Sequence, residues 1–80
     1  MKAATVTRMR SPTGSWIVSI DGVVAGRFQV EPLFAVLRRT RSGWALVHAC
    51  ANEGRAYAFR SAYRKTDTEK VHVVPISLPA

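Results

Sequence analysis

The chain has 80 residues, of which 12 are Lys or Arg and 5 are Asp or Glu, so its formal net charge is +7. This length excludes a two-domain organisation and large cofactor folds such as a doubly wound dinucleotide-binding sheet. A hydrophobic fraction of 48% with 21% charged residues is typical of a folded globular protein. We therefore expect a single compact domain over residues 1–80.

The single cysteine, Cys50, excludes an intramolecular disulfide and a cysteine-based zinc cluster. The N-terminal residues lack the apolar core of a signal peptide, and no run approaches the roughly 18 apolar residues of a membrane span. These features predict a cytoplasmic protein with no membrane partner.

The first part of the chain predicts antiparallel strands. Residues 3–10 are rich in Thr and Val and precede a Ser-Pro-Thr-Gly turn signal, which indicates a first strand. Trp16–Ile20 follows the period of two that is typical of strands. Asp21 and Gly22 then predict a type I′ hairpin turn, because both residues tolerate positive φ. The returning strand is predicted over residues 23–29.

The pattern changes at Pro32, which predicts a short helix over residues 32–41. Pro32 suits the first helical position because its φ is already fixed and it has no N–H to leave unpaired. Residues at helical spacings of three and four follow it: Leu33, Val36, Leu37 and Thr40. Arginines occupy the predicted last turn, where the helix dipole favours cations: Arg38, Arg39 and Arg41. Gly43 fits the position of a C-terminal cap.

Three further strands are predicted after this helix. Residues 44–50 alternate, residues 52–54 are typical of a hairpin turn, and residues 55–61 and 70–76 complete the pattern. The order ββαβββ predicts an α+β domain with one antiparallel sheet of about five strands and a single short helix. A small partly open β-barrel is the alternative.

The sequence carries no residue set that is typical of an active site. His48 and His72 lie in predicted strands, and their spacing to acidic residues does not indicate a general base with an orienting carboxylate. Cys50 and His48 are two residues apart on a strand, roughly 6–7 Å, which is too far for a thiolate and its base. The paired spacings of zinc or calcium ligands are also missing. We therefore expect a protein that is not an enzyme and that holds no metal or cofactor.

The basic side chains remain as candidates for a functional role, and they comprise nine Arg and three Lys. A guanidinium group binds phosphate or carboxylate through paired hydrogen bonds, which favours a nucleic acid or an acidic protein face as the partner. The codon usage of a GC-rich genome is the alternative explanation for the arginines. Our candidate partner-binding residues are Arg38, Arg39, Arg41, Trp44, Arg60, Tyr63, Arg64 and Lys65. For Trp44, a place in the core is the alternative.

Two segments resemble parts of known RNA-binding folds. Residues 55–60, with Tyr57 and Phe59, resemble the central strand of an RNA-recognition motif, whose aromatic side chains stack on bases. The glycine of that motif is an alanine here, and we expect both aromatic residues to pack in the core or across strands. Residues 33–61 are similar to the helix and three-stranded sheet of small toxin ribonucleases, but the turn that carries their catalytic histidine has none here.

In size, compactness and lack of a catalytic set, the chain resembles the small anti-CRISPR proteins of phages and mobile elements. This resemblance implies a non-catalytic inhibitor that binds a protein subunit of a nucleic-acid-handling complex, such as a CRISPR surveillance complex, and blocks its nucleic-acid binding. A direct DNA- or RNA-binding module and a small toxin-like ribonuclease are the alternatives. A homodimer through an edge strand is a further hypothesis, because exposed strand edges pair readily.

Overall fold

The computed structural model describes residues 4–63 and 70–78, which form six strands and one helix. The strands are β1 (Val6–Arg10), β2 (Trp16–Ile20), β3 (Val23–Phe28), β4 (Phe34–Thr40), β5 (Gly43–Cys50) and β6 (Val71–Pro75). The helix α1 (Glu53–Ala62) lies between β5 and β6 in sequence. The α+β class with one helix is confirmed, whereas the predicted order ββαβββ is wrong.

The strands form two three-stranded antiparallel sheets rather than one sheet of about five strands. Sheet A has the order β1-β2-β3, and sheet B has the order β5-β4-β6. At one side, the N–H of Arg8 donates to the carbonyl of Ser77 at 2.9 Å, within a parallel bridge between Thr7 and Ser77. This bridge joins β1 to the segment after β6, and the two sheets do not close into a barrel.

The first three strands and the Asp-Gly hairpin form where the sequence predicts them. Ile20 pairs with Val23, and between them Asp21 has φ 51° and Gly22 has φ 86°. Two consecutive positive φ values are those of the type I′ turn that Asp-Gly favours. Further along, the pairing of β2 with β3 shifts and leaves Ala25 without a partner, which is a β-bulge. The strands predicted over 44–50 and 70–76 are also present, as β5 and β6.

Residues 34–40 form β4, so the helix predicted over 32–41 is wrong. β4 is the central strand of sheet B and has a hydrogen-bonded neighbour on each side. Ala35 and Leu37 face the core between the sheets, Val36 faces α1, and all three are fully buried. A strand that is covered on both faces is apolar at consecutive positions, which also produces apolar residues at helical spacing. Gly43, with φ 137°, follows the β4–β5 turn instead of capping a helix.

The helix forms at residues 53–62, where a hairpin turn and a strand were predicted. The Oδ1 of Asn52 accepts a hydrogen bond from the N–H of Arg55 at 3.0 Å, which makes Asn52 the N-cap. Glu53 adds a negative charge to the first turn, where the helix dipole favours it. Residues 55–60 are therefore helical, and their likeness to a strand of the RNA-recognition motif does not extend to the structure.

The molecule has three layers, because sheet A packs on sheet B and α1 packs on the opposite face of sheet B. The core between the sheets is formed by Val6, Val18, Ile20, Ala35, Leu37, Ala49 and Ile76. A smaller core beneath the helix is formed by Val36, Ala56 and Val71, with Phe59 packed against it. Sheet B thus holds both layers in place and positions the ends of β4, β5 and β6.

Candidate functional site

A basic cavity of about 400 Å³ lies where the β4–β5 hairpin meets the start of β6. It is lined by Arg38, Arg39, Thr40, Arg41 and Lys70, and we call these five residues the basic end. Strand register explains their proximity: Arg38 lies opposite Val71, so Lys70, immediately before β6, lies beside the last residues of β4. Three arginines from four consecutive positions are thereby joined by a cation from about thirty positions further along the chain.

Trp44 supports one arginine of the basic end. Arg39 and Trp44 are opposite each other in the β4–β5 pairing, and the Arg39 Cζ lies 5.9 Å from the centroid of the indole ring, which is a cation–π contact. His72 meets the same ring edge-on, with centroids 5.4 Å apart. Trp44 is half-buried and packs against the core between the sheets. It is therefore both a core residue and the support of an exposed guanidinium group.

Arg60 connects the end of α1 to β6, the strand that begins directly after Lys70. Its Nε donates a 2.8 Å hydrogen bond to the carbonyl of Val71, the residue that pairs with Arg38. Tyr63 has a different place, because it is half-buried against the core beneath the helix, with its ring centroid 6.4 Å from that of Phe59. Arg64 and Lys65, the other two candidates, lie outside the described residues.

The structure thus places Arg38, Arg39 and Arg41 together with a cation that was not among our candidates. Lys70 is the first residue of the strand predicted over residues 70–76, and that position was the available signal. Its pairing partner decides its location, however, and a single sequence does not show which strand β6 pairs with. The predicted helix would have distributed the three arginines around a helical turn, whereas the hairpin places them along one strand end.

The two histidines lie on opposite faces of sheet B. His48 pairs with Val36 on the helix side, and its ring stacks on Phe59 with centroids 4.5 Å apart and planes 14° from parallel. His72 pairs with Leu37 on the side of sheet A. The Sγ of Cys50 donates to the carbonyl of Asn52 at 3.3 Å, near a cavity of about 410 Å³ that His48 also lines. The thiol therefore has a carbonyl as its hydrogen-bond partner.

Other arginines have structural contacts. The Nε of Arg8 lies 2.9 Å from the Oε2 of Glu31, and its Nη1 donates to the carbonyl of Ile76. These contacts tie β1 to the segments that precede β4 and follow β6. The Cζ of Arg10 lies 5.6 Å from the ring centroid of Trp16, its cross-strand neighbour.

Among the described residues, no three His, Cys, Asp or Glu side chains are grouped so that they could hold a metal ion. Within the part of the chain that the structure describes, no helix is long and apolar enough to cross a membrane. The chain matches no protein-family model, and no curated protein or solved structure is significantly similar to it.

Proposed function

We propose that this chain is a non-catalytic binding protein whose basic end docks on an anionic surface of a nucleic-acid-handling complex and inhibits that complex. The cavity lined by four cationic side chains supports this proposal. Arg39 and Arg41 are exposed beside this cavity, and a phosphate or carboxylate group of a partner that binds there meets two positive charges at once.

The chemistry of these side chains favours binding over catalysis. Arginine is not deprotonated in proteins and therefore does not act as a general base. The Oγ1 of Thr40 is 3.2 Å from the carbonyl oxygen of Gly43, to which it donates. The two histidines, which are the residues best suited to proton transfer near neutral pH, lie on opposite faces of sheet B.

Direct binding to DNA or RNA is the second candidate function, and the exposure of Arg39 and Arg41 favours it. Both side chains extend from one hairpin end, which can approach a phosphate backbone. Each neutralised phosphate releases condensed counterions, so such binding weakens steeply as the salt concentration rises. The inhibitor needs no affinity for free nucleic acid, because its partner is a protein surface.

Three labelled probes distinguish the two candidates: a DNA duplex, a single-stranded RNA and polyglutamate. Fluorescence anisotropy is measured at low and at physiological salt with the wild-type protein and with Arg39→Gln/Arg41→Gln. The matched control is Arg27→Gln/Arg55→Gln, which removes two exposed arginines from other places. We expect the first variant to lose binding and the control to keep it. The proposed basic end is wrong if no probe binds, or if the two variants lose affinity equally.

Inhibition is measured separately with a purified CRISPR surveillance complex and its labelled target DNA. We expect the wild-type protein and the control variant to reduce target binding, and the Arg39→Gln/Arg41→Gln variant to reduce it far less. A protein that binds DNA or RNA alone at physiological salt but leaves the complex unaffected supports the second candidate. Unchanged target binding together with no affinity for free nucleic acid would contradict both candidates.

A further inference from the structure

We propose that the basic end and a neighbouring cleft together bind an extended segment of the partner protein, which carries an aliphatic residue and an acidic residue close to it. The inference rests on the proposed function of the basic end and names the kind of segment that docks there. The cleft has a volume of about 480 Å³ and is lined by the β2–β3 hairpin of sheet A and the β4–β5 hairpin of sheet B. We call it the open cleft.

The walls of the open cleft are mainly aliphatic, and one wall is uncovered. Ile20, Val23 and Leu46 line it together with the indole of Trp44. Val23 and Val24, which belong to the β3 wall, are 71% and 59% exposed. An aliphatic side chain that enters such a concave surface removes apolar area from water on both sides. The cleft therefore favours an aliphatic side chain as the anchor of the partner.

The open part of the cleft lies directly beside the basic end. A Cβ at Gly26 would lie 3.2 Å from the Cδ2 of Leu46, so the two sheets meet at that point. Ser42 and Gly43 line the opposite part of the cleft, and they follow directly on Arg41 of the basic end. A segment that is anchored in the cleft therefore passes the basic end.

The cations of the basic end provide charge complementarity to an acidic residue of this segment. Trp44 lines the cleft, and the Cζ of Arg39 lies 5.9 Å from the centroid of its indole ring. Arg39 and Arg41 are both exposed. The lining also includes Asp21, whose Oδ1 accepts a 2.9 Å hydrogen bond from the N–H of Thr5, the residue before β1. A carboxylate of the partner beside Trp44 thus meets two guanidinium groups.

The geometry of an extended chain sets the spacing between the aliphatic and the acidic residue. Within the described part of the chain, β3 and β5 are edge strands, so each can hydrogen-bond an added strand on its outer side. Side chains two positions apart in a strand share a face and are separated by roughly 6–7 Å. This separation is similar to the distance from the Trp44 ring to the Arg39 Cζ. We therefore expect the acidic residue two positions from the anchor.

A protein segment fits this cleft better than a nucleobase does. Single-stranded nucleic acid is bound by stacking its bases on aromatic side chains. The described lining includes one aromatic ring, that of Trp44, which already has Arg39 and His72 as neighbours. Aliphatic walls and strand edges are instead the features that recognise an extended peptide.

Selection from a phage-displayed library of random peptides on the immobilised wild-type protein tests the inference. We expect enriched peptides in which Asp or Glu stands two positions from Leu, Ile or Val. The most enriched peptide is labelled with fluorescein, and its affinity is measured by fluorescence anisotropy. Absence of an enriched motif that combines acidic and aliphatic residues would overturn the inference.

Substitution of Val23 tests whether the cleft holds the aliphatic anchor. Val23→Asn makes the β3 wall polar without changing the net charge, and we expect it to weaken binding of the labelled peptide about tenfold. Val30→Asn is the matched control, because Val30 is also 71% exposed but lies outside the strands, and it should bind as the wild type does. Val23→Thr keeps a branched side chain that suits a strand and should weaken binding several-fold. Equal affinities of the Val23 and Val30 variants would contradict the proposed cleft.

Changes in the peptide test the spacing. Replacing its aliphatic residue with Ser should weaken binding to the wild-type protein about tenfold. Moving its acidic residue by one position, which turns the carboxylate to the other face of the strand, should weaken binding several-fold. If neither change alters the affinity, the segment does not bind in the proposed way. Circular dichroism confirms that every protein variant is folded before it is compared.

Polyglutamate separates a failure of this inference from a failure of the proposed function. If polyglutamate binding is lost in Arg39→Gln/Arg41→Gln while Val23→Asn and Val30→Asn bind the peptide equally, the basic end stands and only the cleft is wrong. If neither polyglutamate nor a selected peptide binds, the proposed function of the basic end is wrong as well. A single-stranded RNA that binds more weakly to Val23→Asn than to Val30→Asn would assign the cleft to a nucleotide and overturn the inference.

Discussion

The Nε of Arg60 donates a 2.8 Å hydrogen bond to the carbonyl oxygen of Val71, which joins the last turn of α1 to the first residue of β6. Val71 is fully buried and pairs with Arg38 in sheet B. One hydrogen bond thus connects the helix to the strand start that holds Lys70 beside the β4–β5 hairpin. The stability of the helix layer and the shape of the basic end are linked through this contact.

Arg60→Met is therefore expected to lower the free energy of unfolding by about 1–2 kcal/mol. The substitution keeps most of the apolar length of the side chain but leaves the Val71 carbonyl without its charged donor. Urea unfolding followed by circular dichroism measures the change. Arg55→Met is the control, because Arg55 is exposed on the same helix, and we expect it to change stability by less than about 0.5 kcal/mol. Equal losses would show that the hydrogen bond does not stabilise the fold.

The N-cap at Asn52 provides a second prediction. Asn52→Ala removes the oxygen that accepts from the N–H of Arg55, and we expect a loss of about 1 kcal/mol in the free energy of unfolding. Asn52→Asp keeps an acceptor and adds a negative charge at the helix N-terminus, so its stability should equal or exceed that of the wild type. An alanine variant as stable as the aspartate variant would contradict the capping role.

Heparin chromatography tests the basic end without knowledge of the partner. Arg39→Gln/Arg41→Gln should elute at lower salt than Arg27→Gln/Arg55→Gln, although both double variants have the same net charge. The reason is that grouped cations meet several anionic groups at once, whereas separated ones meet fewer. Elution of the two variants at the same salt concentration would indicate that binding to heparin depends only on the net charge of the protein.

The ribonuclease alternative is tested with His48→Ala/His72→Ala. We expect the wild-type protein to leave labelled single-stranded RNA intact, because its two histidines lie on opposite faces of sheet B. We also expect the double variant to bind polyanions with the affinity of the wild type when the two folded proteins are compared at the same concentration. RNA cleavage by the wild type that disappears in the double variant would instead support a catalytic histidine.

Local chemistry was sufficient to predict the first strand and the Asp-Gly hairpin. Asp21 and Gly22 accept positive φ values that few residue pairs tolerate, so this turn is specified by two adjacent residues. The sequence also indicated three nearby arginines, and the structure places them in one cavity. The strand over residues 44–50 was correct for a similar reason, since alternation is a local property of a strand with two different faces.

Two elements, β4 and α1, could not be predicted from local patterns. Val36 and Leu37 are both fully buried because sheet A covers one face of β4 and α1 covers the other, and the residues of β4 do not by themselves indicate either layer. Asn52 is compatible with a hairpin turn and with a helix N-cap. Packing of Ala56 against Val36 and Val71 is available only to the helix. Tertiary contacts therefore selected between two local structures that the residues permit.

The sequence by itself determined a small basic α+β chain with an Asp-Gly hairpin and an arginine cluster. Charge and size follow from the composition, and a tight turn is specified by the two residues that form it. Only the tertiary structure decided that the arginines lie at a strand end beside Lys70, because strand pairing joins residues that are distant along the chain. Burial and strand pairing are collective properties of the folded chain, and local patterns constrain them without specifying them.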